Sequence, residues 1–422
     1  MEPAARGRMA IIGGGISGVA TAYLCDESWS VDLFEAEARL GGNAATVDVD
    51  GIPVDLGAET FNPSTHPLYW ELLTRIGVDD TIIELPGTLS VSDAATRRPR
   101  FVSRHPLRTP RHALGLLQFI RAARRFIASD PSPDLTLEDW FAQQRFAPRF
   151  EREVLLPWLA SLTSSRVDTL KTQSMLAFLV LFAPAFPANL LSSPKTYGSS
   201  IGLGGIIELL AAGCRHLTVR TGERVGRAER IDGAWFIHTP TGRSGPYEKL
   251  VVTAPPYAAR EFLTGIPDAL AGILNRYDYY PARLVIHGDP RVMPADERDW
   301  CMHNAAASGE TCEASFWLGA SRTDPVTGAP VRLFKSWATH RSVAPESVRA
   351  ERTFHHLLLT PDAVRAASDL TEWQGRDGLF FAGHFTQVTD LQETALASAI
   401  AVAEALDAGS PNLRALRMRC WV

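Results

Sequence analysis

Lysine is nearly absent. Lys171, Lys195, Lys249 and Lys335 are the only four among 42 basic residues, so the positive charge is almost entirely arginine. With the abundance of alanine this is a codon signature of a GC-rich genome and bears on no mechanism. Cysteine is also scarce: Cys25, Cys214, Cys301, Cys312 and Cys420 form no CxxC pair and no Cys/His spacing. That excludes structural zinc, leaves no metal site to expect, and points to reduced thiols. No long apolar run exists. The longest, Met175 to Phe186, is interrupted by Pro184 and is far short of a bilayer span, so it reads as a buried or pocket-lining helix rather than a membrane insertion. Excess positive charge is missing too; a formal net charge of −5 gives no general attraction to nucleic acid or anionic lipid. The N-terminal residues Met1 to Arg8 run directly into an apolar strand without room for a signal-peptide core, and a cytoplasmic location is expected. Internal repeats and low-complexity stretches are absent.

What remains is an ordinary globular composition. With 422 residues, 45% hydrophobic and 21% charged, the chain is long enough for two or three domains. Residues 9–35 read strand, glycine turn, helix, strand. From about Arg111 to Leu191 the pattern becomes helical: Leu114, Leu116, Leu117, Phe119, Ile120, Ala123, Phe126 and Ile127 share one face, with Arg121, Arg124 and Arg125 opposite. Leu135 to Phe146 and Arg149 to Leu162 complete a helical insertion. Strand-like alternation returns over 218–254, with Ala234–His238 and Leu250–Ala254 separated by a turn-rich stretch around Thr239 to Gly242. Near the end, Gly378 to Gly383 reads as a buried strand and Thr389 to Ala405 as a helix.

The sharpest signal is Gly13-Gly14-Gly15-Ile16-Ser17-Gly18, a G-x-G-x-x-G that follows the strand Met9–Ile12 and opens a helix over Val19–Cys25. Gly13 permits the tight turn, Gly15 lets backbone approach a pyrophosphate, and Gly18 lets the helix pack on the strand with its free N–H groups aimed at the anion. Glu35 closes the second strand at the offset where a carboxylate accepts hydrogen bonds from an adenosine ribose. These features together read as a dinucleotide site, NAD or FAD. Arg39-Leu40-Gly41-Gly42 then supplies a cation and two more bare backbones. Residues Thr46 to Leu56 form a hairpin turned at Asp50-Gly51 that delivers Gly57-Ala58-Glu59 back to the site.

With Glu35 to Gly42, Asp55-Leu56-Gly57-Ala58-Glu59 and Phe381-Ala382-Gly383, the chain resembles the flavin-containing amine oxidase and phytoene desaturase superfamily. Gly51 to Asp55 and the ending are most similar to a bacterial group described only as predicted NAD/FAD-binding proteins. The resemblance implies an α/β fold: a Rossmann-type FAD-binding domain with a parallel sheet discontinuous in sequence (residues 8–85, 200–260 and 375–410), a helical insertion (86–199) and a mixed-sheet substrate-binding domain (261–374). It implies that FAD is the cofactor. Gly13, Gly15, Ile16, Ser17 and Gly18 would hold pyrophosphate, Glu35 and Ala36 the ribose side, and Arg39, Gly41 and Gly42 would flank the phosphates. Gly57, Ala58 and Glu59 would lie near the ribityl chain, and the Val225 backbone would meet the adenine. Gly383, Leu391, Gln392 and Thr394 would surround the flavin end, where a helix capped by Thr389 presents its positive terminus to the ring.

The same resemblance marks departures. Leu391 stands where amine oxidases place an aromatic cage wall, the segment has no cysteine for a thioether, and His384 replaces an acidic or small polar residue; an amine substrate is therefore not expected. Two residues are candidates for chemistry beyond the flavin. His384 adjoins the ring by family position, with a hydrogen-bonded structural histidine as the alternative. Lys335 matches a lysine that holds water near N5 in some relatives, or is an edge-strand lysine reaching solvent. His303, His355 and His356 are less informative, and Tyr197 to Gly205 reads as a loop that resembles a flavin-proximal segment. Three functions stay open: an FAD-dependent oxidase, dehydrogenase or desaturase taking hydride from a small, largely apolar substrate; a non-redox flavin-dependent isomerase or cyclase; and a non-catalytic flavin-binding protein. No second fingerprint for NAD(P)H is present, which favours oxygen or another acceptor. A homo-oligomer is compatible with the composition.

Overall fold

The computed structural model describes residues 6–181, 195–324 and 326–417. A five-stranded parallel sheet is assembled from Gly7–Ile12, Trp29–Phe34, Leu217–Arg220, Lys249–Val252 and Leu379–Phe381. Its spatial order is third, second, first, fourth, fifth in the chain. Strand order reverses between Gly7–Ile12 and Lys249–Val252, and in such a sheet the crevice beyond the carboxyl ends at that point is where ligands bind.

Burial follows the strand period. Met9 and Ile11 pack into one core with Leu33, Val251 and the helices Ile16–Cys25, Gly202–Ala212 and Gln392–Asp407, whereas Ala10 and Ile12 pack into another with Phe34, Leu250 and Val252. Both faces are covered, which is why Met9-Ala10-Ile11-Ile12 is continuously apolar rather than alternating.

A seven-stranded mixed sheet forms the second layer, in the order Val348–Leu357, Tyr279–His287, Phe334–Trp337, Thr311–Trp317, His303–Ser308, Leu89–Asp93, Pro99–Val102. Two of these strands, Leu89–Asp93 and Pro99–Val102, lie in the stretch expected to be helical. The serines of Leu89–Asp93 explain the difference: Ser90 donates to the Asn304 side chain at 2.8 Å and Ser92 to the Ala305 carbonyl, so they stitch the strand to its parallel neighbour instead of facing water.

The helical layer begins at Pro110–Ala128, which buries Gly115, Phe119, Ala122 and Ala123 and exposes Arg121, Arg124 and Arg125. Leu114, expected on the apolar face, is 60% exposed. Gly115 takes the contact instead, so close to Phe150 that a Cβ there would lie 2.5 Å from its ring. Met175–Val180 is a short buried helix; the rest of its apolar run, from residue 182, lies outside the described residues. The hairpin of Thr46–Val49 and Ile52–Asp55 turns at Asp50 and Gly51, both with positive φ, as a two-residue turn requires. A third strand, Gly242–Tyr247, occupies part of the stretch expected to be a turn between Ala234–Thr239 and Lys249–Val252. Among the described residues no helix is long and apolar enough to cross a membrane, and Cys25, Cys214, Cys301 and Cys312 are unpaired.

Candidate active site

At the sheet's switch point lies a cleft of about 590 Å³. The glycine loop forms its floor. Gly13 has φ +116, a conformation that needs glycine. A Cβ on Gly18 would sit 2.1 Å from the Gly13 carbonyl oxygen, whereas one on Gly15 would meet only the Gly41 oxygen, at 4.0 Å. Gly18 therefore serves helix packing and does not reach the cleft, while Gly15 leaves room on the cleft side. Gly15 also precedes the helix Ile16–Cys25 with no side-chain cap, leaving first-turn N–H groups free for an anion.

Glu35 is 9% exposed. Its Oε2 accepts from the Gly14 N–H at 2.6 Å and its Oε1 from the Glu37 N–H at 2.8 Å, so the carboxylate locks the loop while retaining lone pairs toward the cleft. Gly41 and Gly42 have positive φ; the Gly41 N–H donates to the Gly14 carbonyl, laying this second glycine pair against the first loop. Arg39, Arg224 and Arg352 bring three cations to the lining. Burial and the neighbouring Arg352 lower the Arg39 pKa from its ordinary value.

The far end of the cleft is built by the helix Gln392–Asp407. The expectation that Thr389 caps it is corrected. The helix begins at Gln392, preceded by Leu391, which has no polar side chain; the Thr389 hydroxyl is directed away, donating to the Ala177 carbonyl at 2.7 Å. Thr394 reaches back instead: its Oγ1 accepts from the Leu391 N–H at 3.1 Å and lies 2.7 Å from the Thr389 carbonyl. Thr394 thus lines neither the cleft nor the neighbouring cavity; it shapes the turn that does. Gly383, with φ +142, carries His384, whose Nδ1 lies 3.3 Å from Asp390 Oδ1. Around this end three buried polar atoms have no partner among the described residues: His384 Nε2, Gln392 Nε2 and the Tyr279 hydroxyl.

A second cavity of about 450 Å³ adjoins the first. The two share Asn43, Ala58, Phe354, His355, Asp390, Leu391 and Gln392. Its walls are mostly apolar, including Trp158, Leu162, Phe178, Phe316 and Leu359. Lys335 lies in this wall and is 3% exposed, so the solvent-reaching alternative is overturned. Its Nζ donates to Glu59 Oε2 at 2.9 Å and to the Gly57 carbonyl at 2.8 Å. Among the described lining residues Lys335 is the only lysine or arginine, and Glu59 neutralises it. Burial holds the His303 pKa down at about 4, and lowers that of His356, leaving both neutral near pH 7.

Of the residues expected at the site, Gly13, Gly15, Ile16, Ser17, Glu35, Ala36, Arg39, Gly41, Gly42, Val225, Gly383 and His384 line the cleft. Gly57, Glu59 and Lys335 line the cavity, and Ala58, Leu391 and Gln392 line both. Sequence reasoning missed Arg224, Tyr257, Tyr279, Arg352 and Asp390 in the cleft. Arg224 adjoins Val225 and could have been read with it; the others depend on strand pairing and loop geometry that no local pattern announces.

The family model for flavin-containing amine oxidoreductases matches residues 16–357. The chain belongs to that family. Among curated relatives, the coproporphyrinogen III oxidase of Bacillus subtilis is 23% identical over 65% of this chain and 65% of its own length. That of Mycobacterium tuberculosis is 37% identical over 18% of each, and the mitochondrial protoporphyrinogen oxidase of Nicotiana tabacum is 45% identical over 14% of this chain and 12% of its own. The matches thus span less than two thirds of these relatives.

Solved structures with the same fold include a putative protoporphyrinogen oxidase from Exiguobacterium (TM-score 0.63, 15% identity, 95% of this chain and 99% of that one). A fatty acid isomerase from P. acnes (0.69, 15%, 94% and 98%) and a putrescine oxidase variant (0.66, 14%, 96% and 100%) share it too. The family is one of flavin-dependent oxidoreductases. The residues present fit FAD: the open side of Gly15, the helix starts at Ile16 and Gln392, the arginines, and the unpartnered polar atoms at the far end are the groups that a dinucleotide and a flavin ring need.

Proposed function

We propose that this oxidoreductase removes a hydride from a small, largely apolar molecule bound in the 450 Å³ cavity. The observation that carries the reading is the continuity of that cavity with the far end of the dinucleotide cleft, through Ala58, Asp390, Leu391 and Gln392. Its volume falls in the range of small-molecule sites, about 300–1,000 Å³.

In this reading Gly13, Gly15, Ile16 and Ser17 bind pyrophosphate through backbone N–H groups, Glu35 and Ala36 hold the ribose, and Arg39 with Gly41 and Gly42 flanks the phosphates. Val225 meets the adenine. Gly57 to Glu59 follow the ribityl chain, and Gly383, Leu391 and Gln392 frame the ring, with Thr394 holding their turn. Bound FAD supplies the hydride acceptor, N5. Trp158, Phe178 and Phe316 exclude water from the reacting carbon, and the helix start at Gln392 favours negative charge developing in front of it by about 0.3–2 kcal/mol. Lys335, fixed by Glu59 and the Gly57 carbonyl, holds a positioned N–H donor at the wall. His384 is oriented by Asp390 beside the ring.

The test is an anaerobic absorbance titration of the FAD-loaded protein against amines, alcohols and unsaturated or polyketide-like acids, with products weighed. Bleaching of the flavin band by a neutral compound that loses two hydrogens supports the proposal. A product of unchanged mass assigns the flavin to isomerisation or cyclisation instead.

A further inference from the structure

Besides Gln392 where the cavity meets the cleft, four residues on the cavity wall carry a buried polar atom with no partner among the described residues: Thr163 Oγ1, Gln173 Nε2, Trp337 Nε1 and His356 Nε2. Contacts with neighbouring residues fix their places on the wall. Tyr280 donates to the Thr163 carbonyl at 2.9 Å and stands opposite His356 in the paired strands. The ring of His356 lies 5.1 Å from that of Trp337, edge to face. The Gln173 side-chain oxygen accepts from the Leu359 N–H just beyond the strand that carries His356. That last bond fixes the amide, so Gln173 Nε2 is a donor; Trp337 Nε1 can only donate. Thr163 and His356 can each take either role.

A buried donor left without an acceptor costs about 1–3 kcal/mol, so two obligate donors in one apolar wall call for an acceptor on what occupies it. Charge narrows the choice. Glu59, Lys335 and Asp390 are the charged lysine, arginine or carboxylate side chains of the lining, and the one cation is already paired. A carboxylate would find no free cation, and an ammonium would face the Gln173 and Trp337 donors at this wall, since Glu59 is paired with Lys335 and Asp390 lies at the cleft end beside His384.

We infer that this cavity selects a neutral, oxygen-bearing apolar molecule, a ketone or alcohol of about ten carbons, whose oxygen is held by Gln173 and Trp337 with Thr163 and His356 beside them. The inference deepens the proposed function and rests on it for the identity of the cavity. It concerns binding alone.

The test is equilibrium binding to the FAD-loaded protein of three probes of similar shape, 2-decalone, 2-aminodecalin and decalin-2-carboxylate, read by the flavin difference spectrum and by tryptophan fluorescence. The ketone is expected to bind at least about tenfold more tightly than either charged probe. Gln173→Leu and His356→Phe should each weaken the ketone about 3- to 10-fold while leaving the amine affinity unmoved, which a merely structural loss would not do. Equal or tighter binding of the amine or the carboxylate, variants that weaken all probes alike, or no binding of the ketone would each overturn the inference. Selective ketone binding without flavin bleaching by any compound would leave it standing and sink the hydride-transfer reading instead.

Discussion

Lys335 Nζ stands 2.9 Å from Glu59 Oε2, and both side chains are more than nine-tenths buried. The pair joins the mixed-sheet strand Phe334–Trp337 to the segment that follows the N-terminal hairpin, across the line where cleft and cavity meet. It ties the mixed sheet to the segment after the hairpin with one ion pair.

Removing one partner leaves a buried uncompensated charge. Lys335→Met is expected to lower stability by about 3–5 kcal/mol, and the double change Lys335→Met with Glu59→Gln to recover much of that loss. Urea denaturation of the FAD-free proteins measures both. A single variant as stable as the parent would show that the pair does not hold the layers together.

The two glycines of the loop separate folding from cofactor binding. Gly18→Ala places a Cβ 2.1 Å from the Gly13 oxygen and should depress the melting temperature even without FAD; Gly15→Ala finds open space. The second variant should melt normally when FAD-free but retain FAD at least about tenfold less tightly, about 1.4 kcal/mol. Thermal melts with and without FAD, and flavin content after gel filtration, test this.

Glu393 supplies a pH signature. Burial pushes its pKa up to about 7, opposed by N–H donation from Tyr69 and Leu68. With the folded value above the unfolded one, the native state binds the proton more tightly, so this group's contribution to stability is full at low pH and lost as pH rises from about 4.5 through 7. His66 acts in the opposite sense: its pKa, lowered by burial to about 4, makes the native state lose stability as pH falls below 6.5. Glu393→Gln should therefore gain melting temperature relative to the parent as pH rises from 5 to 8. A difference between the two that does not change with pH would contradict the assignment.

Thr394→Val removes the hydroxyl that shapes the turn before Gln392. A loss of about 1 kcal/mol is expected, as for a capping residue. Flavin reduction by substrate should slow in parallel, because Leu391 and Gln392 line both spaces. Stopped-flow reduction and thermal melts check the two effects independently.

The legible parts of the site were those dictated by close backbone approach. Gly13, Gly41 and Gly42 are readable because their positive φ needs glycine, Gly15 because the G-x-G-x-x-G spacing sets it beside the helix start, and Glu35 because a strand end fixes its position. Thr389 misled because a capping pattern is local, whereas the carbonyl that takes its hydroxyl belongs to Ala177, 212 residues away. Lys335 looked like a solvent-reaching strand lysine because its partner, Glu59, is brought by a separate segment 276 residues earlier. Arg352 and Tyr279 were invisible for a related reason: which way each faces depends on the pairing of Val348–Leu357 with Tyr279–His287, and a shift of one residue would reverse it.

The parallel sheet takes its fifth strand from Leu379–Phe381, and the helix start at the far end of the cleft comes at Gln392. A nascent chain that has emerged through residue 260 already carries the glycine loop, Glu35, Arg39 and Val225, yet has neither of these. A chain truncated before residue 379 would lack the fifth strand and the far end of the cleft, and is expected to retain FAD poorly, so that FAD occupancy would report whether a molecule had been translated far enough to close the site.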